Sequence, residues 1–240
     1  MRPRIRRVLQ GLQDAGFTDF WRRGQTPEVT RRRDELRSLL SDLDIVPEHE
    51  RLLGRPVQPD IEVSLLQFCR PHGVRVQGQH FLAHVMASNA TLVLIAAHEI
   101  LHPPFDMEGT VARECLAVLG SDALLQRILA EKSRDTGYNS LPGIFEEDLV
   151  QALDQIIQER LAQGRAPAER WRAADQGMHV LAAALYGMMK ADGFDRSGGA
   201  VEAWMQGLVR SGRLASAHWQ SAASAVLALP VERLWTKPAE

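Results

Sequence analysis

The sequence predicts an α+β fold with a helical majority: a small mixed sheet, then a buried helix, then helices to the end. Three observations carry this. Short β-branched or aromatic runs, split by Pro71, Gly73 and Gly78, cluster between residues 61 and 85. Apolar residues at helical spacing fill most of the remainder. The run ATLVLIAAHEILH is apolar almost throughout, as a helix buried on most sides requires.

In chain order, Ile5, Val8, Leu9 and Leu12 define a first amphipathic helix, and a second starts near Thr26-Pro27-Glu28 and carries Leu36, Leu39, Leu40 and Leu43. The arginines of this lead-in, Arg2, Arg4, Arg6, Arg7 and Arg31 to Arg33, suit a polyanion or, more simply, a solvated helix face. After the turn residues of LLGRPVQPD come the strands, IEVSLLQF, GVRV and HFLAHV. Ser88 or Asn89 caps the buried helix, and Pro103-Pro104 stop it. Helices are then expected near 109–119, 121–132, 145–163, 168–190, 199–210 and 215–228. The resulting division is a helical lead-in at 1–53, a core at 54–190 and a helical extension at 191–240.

At 240 residues the chain can bury a large core and hold a deep cleft. Its 28 Lys plus Arg nearly balance 30 Asp plus Glu, so the net charge favours neither nucleic acid nor an anionic membrane as the main partner. Cys69 and Cys115 are too few for a disulfide framework and read as two buried thiols, with a single disulfide left open. No run reaches the ~18 apolar residues of a membrane span, and the basic start leads into an amphipathic pattern, not a signal sequence. A soluble, cytoplasmic protein is expected, with the question of a removed leader open.

The chemistry lies in AAHEILHPPF. On a helix, His98 and His102 share a face and can offer two imidazole nitrogens to one ion, while Glu99 sits about 100° around, beside the ion's open position. Zinc lowers the pKa of its bound water to about 7, and a neighbouring carboxylate can take that water's proton as it attacks a carbonyl. With 8 His and 16 Glu in the chain, the pattern arises by chance about 0.02 times. An unpartnered carboxylate in so apolar a helix would also cost several kcal/mol.

Catalytic zinc needs a third protein ligand. Asp106 lies too close past the prolines, and Glu114 requires the next helix to fold straight back. Glu108 stands where metzincins place their third ligand, but Phe105 replaces the glycine of their turn. The remaining pair is Glu146-Glu147 in PGIFEEDLVQALDQII, where a helix dipole alone would also favour acidic residues. Glu146 points toward the apolar stripe of Leu149, Val150, Leu153, Ile156 and Ile157.

From roughly residue 60 to 190 the order of elements resembles the gluzincin metallopeptidases. In these a later helix supplies a glutamate with apolar residues two before it and two, five and six after it. Glu147 has Phe145, Leu149, Ala152 and Leu153 there. The resemblance implies a zincin-like fold and a zinc-dependent peptidase acting on peptides or proteins, with His98, His102 and Glu147 as ligands and Glu99 as general base. It also implies a Tyr or His after the ligand helix to steady the oxyanion: Tyr186, or His179 seven residues before it on the same helix. The chain departs from the family in the long segment between His102 and Glu147 and in the His-Pro-Pro ending.

His80 and His84 share one face of a strand. In gluzincin-like folds an edge strand here aligns substrate, although ordinary surface histidines fit equally. His49, His72 and His218 carry no signal. Met188 and Met189 read as core filler, and Trp171, Trp204, Trp219 and Trp235 as packing anchors. The competing function is a catalytically silent zincin fold used as a binding or scaffolding module, and a third reading is a helical protein with a chance motif. Retention of Glu99 favours the enzyme.

Overall fold

A computed structural model describes residues 3–41, 43–69 and 74–237. Arg2, Pro71, His72 and Gly73, all invoked above, lie outside the described residues. The architecture is mostly helical α+β with one three-stranded mixed sheet. The chain forms two compact units, residues 1–44 with 61–93, and 45–60 with 94–240.

The first unit holds α1 (Pro3–Asp14), α2 (Phe17–Phe20), a π-helical turn (Trp21–Gln25) and α3 (Thr26–Leu40). Its sheet consists of β1 (Glu62–Leu66), β2 (Val74–Gln77) and β3 (His80–His84) in the order β1-β3-β2. β3 pairs parallel to β1, Glu62 opposite His80 through Leu66 opposite His84, and antiparallel to β2 with a bulge between Arg75 and Gln77. Phe81 and Ala83 are buried, while His80 and His84 share the other, half-buried face. β3 is therefore the central strand, not the edge strand that would align a substrate. Its histidines bond within the sheet, His80 Nε2 at 2.9 Å from Ser64 Oγ and His84 Nε2 at 3.3 Å from Gln67 O. Arg32 of α3 donates to the carbonyls of Val85 and Ala87, which fixes the chain leaving β3.

The second unit begins with α4 (Val46–Leu53), whose Leu52 and Leu53 join the core. α4 ends at Gly54, φ 66°, where a Cβ would come within 2.4 Å of Ala200 Cα, so only glycine permits this approach. His49 is fully buried, with Nε2 2.9 Å from the carbonyl of Ala97. α5 (Asn89–Glu99) enters from the first unit, its N-terminus capped by Ser88 Oγ, which accepts from Thr91 N. α5 stops at Glu99, earlier than the sequence suggested. Ile100 N still bonds four residues back, to Ala96, but the N–H groups of Leu101 and His102 bond three residues back, a tighter turn that leads to the cis bond between His102 and Pro103.

Then follow α6 (Thr110–Leu119), α7 (Ala123–Glu131), α8 (Leu141–Arg160), α9 (Pro167–Ala173), α10 (Val180–Asp192), α11 (Phe194–Ser197), α12 (Val201–Arg210) and α13 (Ser216–Leu227). α8, capped by Ser140, is buried along nearly its whole length, and α10 packs against both α8 and α13. Trp171, Trp219 and Trp235 anchor this core as expected, with Trp204 at its margin. The single helix expected over 168–190 is two: Asp175, Gln176 and Gly177 all take left-handed φ and break it. The two cysteines also differ, Cys115 being buried and Cys69 exposed, both free.

Candidate metal centre

The centre lies wholly in the second unit. α5 and the turn after it supply His98 and His102, and α8 supplies Glu147. His98 Nε2 and His102 Nε2 are 3.2 Å apart. Glu147 faces both, Oε1 at 3.6 Å from His98 Nε2 and Oε2 at 3.5 Å from His102 Nε2. These three are the possible metal-holding group among the described residues.

Each histidine is turned by a carboxylate on its other nitrogen. His98 Nδ1 is 2.8 Å from Asp154 Oδ2, and His102 Nδ1 is 3.0 Å from Glu146 Oε1. Carboxylates only accept, so both Nδ1 atoms donate, and whenever the rings are neutral both Nε2 lone pairs face the same point. Two lone pairs 3.2 Å apart, beside a carboxylate, repel unless something positive lies among them. Glu147 Oε2 is buried and satisfies no hydrogen bond. Tetrahedral zinc with Zn–N near 2.0–2.1 Å sets its ligand atoms about 3.3–3.4 Å apart. The spacings of 3.2, 3.5 and 3.6 Å fit that ion.

The field agrees. Burial disfavours charge on His98, yet the hydrogen bond to Asp154 and the nearby Glu147 carboxylate outweigh it and push the pKa up to about 10. His102 moves the same way against burial, through Glu146 and Glu147. Burial would raise Glu147, but the His102 and His98 imidazoles facing it, with the Gln151 amide, hold its carboxyl well below the usual carboxylate range. The groups together demand positive charge at their meeting point.

Behind the ligands stands a second tier. Arg170 grips both oxygens of Asp154, with one bond at 3.0 Å, and also bonds Gln155. Gln151 donates to Glu147 Oε1 at 2.9 Å and is itself held by Trp171 Nε1 at 3.0 Å. Glu147, Gln151 and Asp154 recur at i, i+4 and i+7, one polar stripe on a buried helix. That stripe was a readable signal for Gln151 and Asp154; Arg170, on α9, had none.

Glu99, the last residue of α5, is half-buried, and its carboxylate makes no hydrogen bond or ion pair among the described residues. Glu146 binds His102 from outside the ligand set. Asp106, Glu108 and Glu114 are exposed and outside the cluster.

Neither oxyanion candidate is placed as expected. Tyr186 donates to Glu159 at 2.5 Å, and Glu159 lies twelve residues beyond Glu147, about 18 Å along α8. His179 is fully buried, Nδ1 2.6 Å from Asp148 and Nε2 2.9 Å from Asp175, so both nitrogens are committed to joining α8 to the start of α10. The break at 175–177 is why: His179 precedes α10 and does not share its face with Tyr186.

Tyr138, on the loop before α8, lies edge-on to His179 with ring centroids 6.1 Å apart and is partly exposed. Desolvation, then the charge of Glu147, then those of Asp175 and Glu99, hold its phenol protonated well above its ordinary range. Its loop is tied by Lys132 Nζ, which donates to Thr136 Oγ1, Asn139 Oδ1 and the carbonyls of Ser133 and Gly137. Comparison with models of known families, with curated proteins and with solved structures finds no match.

Proposed function

We propose that the chain is a zinc-dependent peptidase of gluzincin type. The observation that supports this best is the meeting of two imidazole Nε2 atoms, 3.2 Å apart, over the unsatisfied buried oxygen of Glu147. His98, His102 and Glu147 hold the ion, Asp154 and Glu146 fix the imidazoles, and Arg170 fixes Asp154. Zinc held there supplies Lewis acidity and lowers the pKa of a coordinated water to about 7. Glu99, without a competing partner, takes a proton from the attacking water as the C–O bond forms, and passes it to the amide nitrogen as the C–N bond breaks. The neutral Tyr138 hydroxyl donates to the oxygen on which negative charge develops.

Zinc content and peptide turnover together test this reading. Purified protein is expected to carry close to one zinc per chain, and His98→Ala, His102→Ala or Glu147→Ala to lose it. Glu108→Ala and Glu114→Ala should retain it. Glu99→Gln should keep zinc and thermal stability while hydrolysis of a peptide library falls roughly 10²-fold or more. Zinc retained by both histidine variants would sink the site. Zinc-loaded protein that turns over nothing would point to the scaffolding alternative.

A further inference from the structure

We propose that the first unit docks on the surface of an anionic lipid bilayer, with α1 lying in the plane of the interface. The inference rests on residues 3–93 and is independent of the metal centre.

Ile5, Val8, Leu9 and Leu12 form one stripe of α1, about 100° wide on a helical wheel. None is buried: each is 40–62 % exposed. A helix of a water-soluble unit turns such a stripe inward, so this one lacks its apolar partner. Arg4 and Arg6 flank the stripe on either side, and Arg7 lies on the opposite face near Asp14. Arg4, Arg6, Arg7 and Arg22 make no ion pair among the described residues. Arginines beside an apolar stripe can lay their stems along it and carry their guanidinium groups up to phosphates.

Three residues beyond α1 a second patch begins. Phe17, Phe20, Trp21 and Phe68 form one aromatic cluster, with Phe20 stacked on Phe68 at 6.4 Å and Trp21 edge-on to Phe68 at 5.8 Å. Phe20 is 51 % and Phe68 64 % exposed. Aromatic rings are favoured at the level of lipid headgroups, and a basic amphipathic helix next to them matches a helix lying in the interface. Charge is segregated accordingly. Residues 3–41 hold nine arginines against five acidic residues, whereas the whole chain is at −2.

The other occupants fit less well. A second copy of α1 packed parallel on this face would set its Arg4 and Arg6 against those of the first, and one packed antiparallel would leave the arginines without acidic partners, since the facing residues 11–13 are Gly, Leu and Gln. Nucleic acid would use the arginines but leave the aliphatic stripe in water. A bilayer with acidic headgroups takes both.

The test is sedimentation of the full chain with vesicles of phosphatidylcholine alone, or with about 30 % phosphatidylserine. Binding to the anionic vesicles is expected, at least about tenfold weaker on neutral ones and weakened again in about 0.5 M salt. Leu9→Asp, and Arg4→Glu combined with Arg6→Glu, change only exposed positions and should each lower binding about tenfold or more, with an unchanged circular dichroism spectrum. Phe20→Ser should weaken it as well. No sedimentation with anionic vesicles, or binding that ignores these variants, overturns the proposal. So does a dimer in size-exclusion chromatography that Leu9→Asp dissolves without any lipid binding, or capture by an oligonucleotide but not by vesicles.

Discussion

Asp154 is the residue through which the interior of α8 reaches the candidate metal centre, since it holds His98 with one oxygen while Arg170 grips both. Asp154→Asn leaves all three ligands in place but no longer fixes a donating Nδ1 on His98. Zinc affinity, measured by competition with a chromogenic chelator, should fall about 10- to 100-fold. Glu146→Gln, on the more exposed side of His102, should cost less. Tyr138 offers a sharper contrast with Tyr186: Tyr138→Phe should keep zinc and KM while kcat falls by about 10². Tyr186→Phe, which loses only its bond to Glu159, should leave kcat unchanged. The spacing of His98, Glu99 and His102 was legible because a helix converts sequence interval into direction. Glu147 was legible from its apolar neighbours, but the faces were read the wrong way round: Glu146, expected toward the apolar stripe, is the more exposed of the pair, and Glu147 is buried. Tyr138 was not legible, since a loop has no period and its place is fixed by Lys132 and by contacts distant in sequence.

At the scale of elements the apolar pattern located α1, α3, the three strands, α6, α7, α8, α12 and α13, yet missed the short α2, α4 and α11 and misplaced boundaries wherever backbone conformation overruled it. The residues of α9 and α10 keep helical spacing across their junction, and only Gly177 hinted at a break. Asp175 and Gln176 adopt left-handed conformations that cost a non-glycine residue about 1 kcal/mol, held there by His179 binding Asp175. Gly177, φ 74°, has room for a Cβ but the wrong backbone for one. Gly177→Ala should therefore destabilise by about 1 kcal/mol in urea unfolding, whereas Gln176→Gly at an exposed site should be neutral or slightly stabilising. α5 ended early for a related reason: a residue before proline avoids the α region, so the helix could not continue evenly through His102. The imidazoles meet nonetheless, because a tightened turn keeps residues four apart close together.

Over the whole molecule, each unit is assembled from two stretches of sequence, and neither can be removed by a single cut. No apolar count along the chain reveals such interleaving, because it depends on which distant segments pack together. The cysteines differ with their surroundings. Burial, then the charge of Glu114, pushes the Cys115 thiol up to about 12, while Cys69 is exposed. A disulfide reagent at neutral pH should titrate one thiol per native chain and two after unfolding; two in the native state would contradict the burial of Cys115. The relay from His98 through Asp154 to Arg170 closes chain separations of 56 and then 16 residues. A protein is made from its N-terminus, so the histidines leave the ribosome well before Glu147, and the arginine that steadies their orientation leaves last. A growing chain thus has both imidazoles but no finished cradle until residue 170 is out, so the proposed ion would be held only from that point on.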